Sequence, residues 1–107
     1  MSTEYIDDIG QFAKPVNEKA VAGIVKHLGI ALKSKDASLV SCSSKDELDR
    51  VRDSWLKKKL GLTDSDKVLD AGIKEVCETM KSATRKHRVT FYYLLAAKYG
   101  KIDTLAG

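Results

Sequence analysis

Apolar residues recur along this chain every three to four positions, the period of an α-helix. In the first such stretch, roughly Thr3 to Phe12, Tyr5, Ile6, Ile9 and Phe12 share one side, while Asp7 and Asp8 face solvent. Ser2 or Thr3 is placed to cap this helix, Gly10 weakens its end and Pro15 stops it. A second helix is expected from about Val16 to Leu28, where Ala20, Val21, Ile24, Val25 and Leu28 form the stripe. Gly29 follows as a left-handed cap, with Ile30 able to pack back on the last turn.

The period then lapses. Residues 30–43, IALKSKDASLVSCS, are the least regular part. Asp36 is placed to cap a short turn through Leu39, and a strand at Leu39–Cys42 would lack an obvious partner. Order returns at Ser44-Lys45-Asp46-Glu47, which fits a capping box. The helix it opens buries Leu48, Val51, Trp55, Leu56 and Leu60, and Gly61 ends it. Thr63 is the expected cap of the next helix, about Asp64 to Met80. Val68, Leu69, Gly72, Ile73, Val76, Cys77 and Met80 line one face there, and Asp70–Lys74 and Lys74–Glu78 are spaced to pair across turns.

A last long helix starts between Thr84 and Arg88 and ends at Gly100. From Val89 to Ala97 only Thr90 is clearly non-apolar, apart from two tyrosine hydroxyls. Burial on both sides suits such a run, so this helix belongs at the centre of a bundle. The expectation is an all-α single domain, 1–107, built as a compact orthogonal or irregular bundle of about five helices around a central C-terminal helix.

Composition adds limits. At 107 residues and 43% hydrophobic content, one real core is expected. The formal charge is +4, but it is unevenly spread: residues 1–78 carry 13 basic and 14 acidic side chains, residues 79–107 carry 6 and 1. The excess therefore sits in the last segment, where a local patch hints at an interaction more than a global average does. An acidic N-terminus without an apolar signal core, and no run long enough to span a bilayer, lead to a soluble, cytoplasmic expectation with no membrane contact. Two cysteines, Cys42 and Cys77, do not make a disulfide framework. Cys77 reads as core packing on its apolar stripe, and Cys42 as a residue beside a serine-rich cap.

No catalytic constellation emerges. His27 and His87 belong to no spaced ligand cluster, and Thr63-Asp64-Ser65-Asp66 lacks the glycine a calcium loop needs. Asp7 and Asp8 diverge by about 100° on a helix. Glycine-rich phosphate loops are absent, so neither metal nor cofactor is implied. Lys57-Lys58-Lys59 suits a helix C-terminus, and the helix after Gly61 exposes too many acids to read bases.

The segment TRKHRVTFYYLL, residues 84–95, remains. Lys81, Arg85, Lys86, His87 and Arg88 are the anion-binding set, because cations at a helix start oppose its dipole and call for an acid, a subunit or an anion to offset them. The following aromatics point to different sides of the helix, which is not the geometry of a base-stacking platform.

VSCSSKDELDRVRDSWLKKKLGL at 40–62, IKEVCETM at 73–80 and VTFYYLLAAKYGK at 89–101 together resemble a small uncharacterised bacterial family catalogued as domain of unknown function 2853. The similarity covers about Tyr5 to Lys101. It departs at Gly29-Ile30-Ala31-Leu32, where Pro and Tyr would be expected, so a groove formed there would differ. The resemblance implies a compact, mostly helical bacterial domain and transfers no activity, cofactor or catalytic residue. The expected role is structural or protein-interacting, with self-association or a protein partner. The alternative is weak anion or nucleic-acid binding through residues 81–88.

Overall fold

Five amphipathic stretches fold as helices around one core, and a short sixth closes it. The computed structural model describes residues 3–12, 16–29, 39–81 and 86–106. The expectations for Ser2, Pro15, Ile30, Asp36 and Arg85, and for the departure at residues 30–32, lie outside them. In chain order the elements are α1 (Thr3–Gly10), α2 (Glu18–Leu28), α3 (Lys45–Arg50) running directly into a π-helical segment (Val51–Lys59), α4 (Asp66–Thr79), α5 (Arg88–Lys98) and α6 (Ile102–Ala106). An isolated antiparallel bridge joins Leu39 to His87. That bridge supplies the pairing that the Leu39–Cys42 stretch needed.

The central position of α5 is as its apolar run implied. Val89 through Ala96 are all buried, including Thr90. The helix packs against α1, α2, the π-helical segment, α4 and α6. Its polar atoms find partners. The Thr90 hydroxyl donates to the Asp8 carboxylate, and the Tyr93 hydroxyl accepts from the Asn17 amide at 2.9 Å. Asp8 is thus turned to α5 rather than to solvent, because a buried hydroxyl without a partner would be costly. Asn17, which the apolar pattern did not single out, also caps α2 by accepting from the Ala20 amide.

The π-helical segment answers a problem of register. Nine residues make about two and a half α-turns at 3.6 residues each, so an α-helix would put Leu60 opposite Val51. The wider π turn, closed by the Leu60 amide on the Trp55 carbonyl at 2.9 Å, brings Val51, Trp55, Leu56 and Leu60 all into the core. Core demand overrides the regular winding.

Two further details differ from the sequence pattern. The cap of α4 is Ser65, which accepts from the Val68 amide, so the helix begins two residues later than a Thr63 cap would allow. Val68 itself is 50% exposed, and Leu69 takes the inner position.

The small helix α6 lies across α2. A Cβ built on Gly23 would come within 2.6 Å of the Leu105 carbonyl oxygen. Backbone cannot swing aside as a flexible side chain can. Gly23→Ala is therefore expected to lower stability by about 1–3 kcal/mol through overpacking, despite alanine's better helix propensity. Urea denaturation measures it, and an unchanged or raised midpoint would mean that α6 is free to move off α2.

Candidate functional site

The basic segment is not helical at Lys86 and His87, and its described cations part company. α5 starts only at Arg88, after the extended residues Lys86 and His87. The Val40 amide donates to the Lys86 carbonyl at 2.8 Å, which lays the chain before α3 along this connection. His87 sets its ring edge-on to Tyr5, with centroids 6.0 Å apart.

Arg88 points inward. Its guanidinium donates to the Glu47 carboxylate, to the Leu39 carbonyl at 3.3 Å and to the Tyr92 hydroxyl at 3.3 Å, and it lies 5.7 Å from the centre of the Tyr92 ring. Burial works against its charge, but the hydrogen bonds to Tyr92 and Glu47 outweigh that and hold the guanidinium above its ordinary value. Glu47 is thus the acid that offsets the cation at the start of α5. The predicted capping box closes by half: Ser44 accepts from the Glu47 amide, while the Glu47 carboxylate serves Arg88. Both side chains are mostly buried, at 11% and 19% exposure. Glu47→Gln should cost about 2 kcal/mol, since it keeps the shape but removes the charge from a hydrogen bond of this kind. Denaturation of the single and double variants with Arg88→Met would check it, and additive effects would contradict a shared pair.

Lys81 and Lys86 open instead onto a pocket of about 520 Å³. Cys42 and Leu48 line it from the α3 side, and Asp70, Lys74, Cys77 and Glu78 from α4. Cys42 and Cys77 are joined by a disulfide with their Cα atoms 6.0 Å apart. This overturns the reading of Cys77 as a simple packing residue and of Cys42 as unpaired. The bond crosses 35 residues and ties the turn before α3 to the last turns of α4.

Charges around the pocket are set by a neighbouring network. Arg52 donates to Asp49 at 3.2 Å, Asp53 at 3.0 Å and Asp70 at 3.1 Å, and the bonds to Asp53 and Asp70 raise its pKa. Lys57 reaches Asp66, and that hydrogen bond depresses the Asp66 carboxyl. Asp70 is therefore committed to Arg52, not to Lys74. Glu75 is likewise held by Lys98 at 2.6 Å. Among the described residues Lys74, Lys81 and Lys86 enter no ion pair, so the lining holds three such cations beside Glu78 and an Asp70 that shares Arg52 with Asp49 and Asp53.

Elsewhere, His27 sits beside Trp55 with ring centroids 5.2 Å apart, and burial followed by the Lys59 charge lowers its pKa. Among the described residues no group of three or more His, Cys, Asp or Glu side chains is arranged to hold a metal ion. No helix there is long and apolar enough to cross a membrane.

The model of a family described as Protein of unknown function (DUF2853) matches residues 4–103. The chain belongs to this family. No curated protein matches it. The DUF2853 match runs through every element that builds the pocket, from Cys42 to Lys86, so the site lies wholly within the family's domain.

Proposed function

We propose that this DUF2853 chain is a small cytoplasmic protein-interaction module that seats an acidic, partly apolar segment of a partner protein in the pocket between α3 and α4. The observation that carries this reading is the lining itself. Apolar surface from Leu48 and the disulfide shares one lining with Lys74, Lys81 and Lys86, which outnumber Asp70 and Glu78 there. A carboxylate of the partner pairs with the lysines while a neighbouring apolar side chain covers the apolar surface. Such a combination favours a peptide over a long polyanion, because Glu78 and Asp70 repel an extended run of phosphates.

The weak nucleic-acid reading keeps one supporting observation, the unpaired state of Lys81 and Lys86 among the described residues. Both readings meet in one experiment. A displayed peptide library varying acidic residues around Leu or Phe is screened, and the best peptide is titrated beside labelled single- and double-stranded DNA and RNA. Titrations are made at low and near-physiological salt.

The proposal expects the peptide to bind and the Lys81→Glu/Lys86→Glu variant to lose about three- to tenfold in affinity, as surface charges of this kind contribute. Nucleic acid bound more tightly than any peptide, with steep salt dependence, favours the alternative. A second copy of the chain as occupant would appear as a dimer in analytical ultracentrifugation. A variant that binds peptide as well as the wild type would remove the pocket from the account.

A further inference from the structure

We propose that the Cys42–Cys77 disulfide is a thiol-exchange site for an anionic low-molecular-weight thiol, which enters the α3–α4 pocket and forms a mixed disulfide on Cys42. This goes beyond the peptide reading and does not depend on it. Three observations carry it: the disulfide, half-buried against the core, also lines an open pocket, the pocket is of small-ligand size, and lysines that enter no ion pair among the described residues line it together with the cysteines.

The two sulfurs are not equivalent. Cys77 is held within α4, with Lys74 three residues before it and Lys81 four residues after it, and both lysines line the same pocket. A thiolate released on Cys77 is stabilised by these ammonium groups, and a stabilised leaving thiolate speeds exchange. Glu78 opposes them, and so in part does Asp70, which shares the single charge of Arg52 with Asp49 and Asp53, but the three lysines of the lining outnumber its two carboxylates. Cys42 lies in the turn before α3, outside any helix. The thiolate that leaves more readily is the one beside the lysines of α4, so the incoming group attacks the Cys42 Sγ.

The lysines also select the reagent. A thiol bearing carboxylates is drawn into the pocket, and one bearing only an amine is repelled.

The step balances as a two-electron exchange. The incoming thiolate attacks the Cys42 Sγ, forming a new S–S bond to it. The Cys42–Cys77 bond breaks, and its electron pair leaves on the Cys77 Sγ. A second thiolate then attacks the sulfur of the first thiol, releasing the small-molecule disulfide and leaving Cys42 as a thiolate. The protein disulfide is reduced by two electrons, and two thiols are oxidised to one disulfide. In a reducing compartment such a bond is transient and serves to sense or respond to thiol status rather than as a permanent staple.

The test uses the intact oxidised chain with glutathione as the anionic thiol and cysteamine as the cationic one. Reactions are quenched with acid, alkylated and mapped by mass spectrometry. The expected adduct is glutathione on Cys42 with Cys77 free.

The ratio of the glutathione rate to the cysteamine rate should fall about fivefold in Lys74→Glu/Lys81→Glu, a change of charge within a Debye length of the sulfurs. Both lysines are exposed, so the fold should tolerate the change. Salt titration of the wild type supplies the same readout without mutation, and the ratio should decline as salt rises. An adduct on Cys77, no adduct at all, or a ratio unmoved by both charge reversal and salt would overturn the proposal.

Discussion

Trp55→Ala should destabilise this protein by about 3–5 kcal/mol, the range for truncating a large buried aromatic. Trp55 is fully buried on the π-helical segment. Its ring stacks on Tyr92 of α5 with centroids 4.5 Å apart, and its indole N–H donates to the Tyr92 carbonyl at 3.2 Å. His27 of α2 flanks it on another side. One side chain thus joins three elements. A domain of this size has about 5–15 kcal/mol in all, so the variant should be close to its folding limit. Urea denaturation at neutral pH gives the value. A loss below about 1 kcal/mol would mean that Trp55 is not packed as described.

Losing the Cys42–Cys77 bond ranks next. Closing a loop across 35 residues restricts the unfolded chain, which in the chain-entropy account stabilises the fold by about 3–4 kcal/mol. Dithiothreitol should lower the urea midpoint of the wild type substantially. It should have no effect on Cys42→Ser, which should start from the lowered value. Native protein with two titratable thiols per chain, and a midpoint indifferent to reductant, would contradict the bond. The sequence pattern presented Cys42 only as a residue beside a serine-rich cap. That reading fails here because the position of Cys42 against α4 was invisible in the pattern.

Local features were the legible ones. Helical period marked α1, α2, α4 and α5, and the unbroken apolar run of Val89–Ala97 placed α5 in the centre. Ser44 was recognisable as a cap because capping depends on neighbours along the chain. Trp55 and its apolar companions were recognisable as core, but their spacing hid the π turn, whose cause is the distance from Val51 to Leu60. Long-range pairings were not legible. Spacing offered Lys74 both Asp70 and Glu78, whereas Arg52, reaching across from the π-helical segment, takes Asp70. Glu47 looked like the second half of a capping box, yet its carboxylate goes to the buried Arg88, and the Ser44 amide donates to the Ser41 carbonyl instead.

The candidate site divides along the same line. Lys81 and Lys86 were singled out from charge alone, and both line the pocket. Arg88 belonged to the same run, but its direction was set by where α5 begins. Lys74, Leu48 and the two cysteines carried other readings in the sequence, as an ion-pair partner, core and cap residues, because they meet only when α3, α4 and the residue 86–87 connection pack together. A cysteine on an otherwise apolar stripe, with lysines three before and four after it, is the signal that was available for Cys77.

Amide-resolved NMR titration of the oxidised protein with the selected acidic peptide tests the central claim most directly. The account predicts shifts concentrated at Cys42, Leu48, Lys74, Cys77, Lys81 and Lys86, with those of Arg88 and the Lys57–Lys59 run little changed. Shifts centred on Lys57–Lys59, or spread evenly over the surface, would contradict the assignment of this pocket as the functional site.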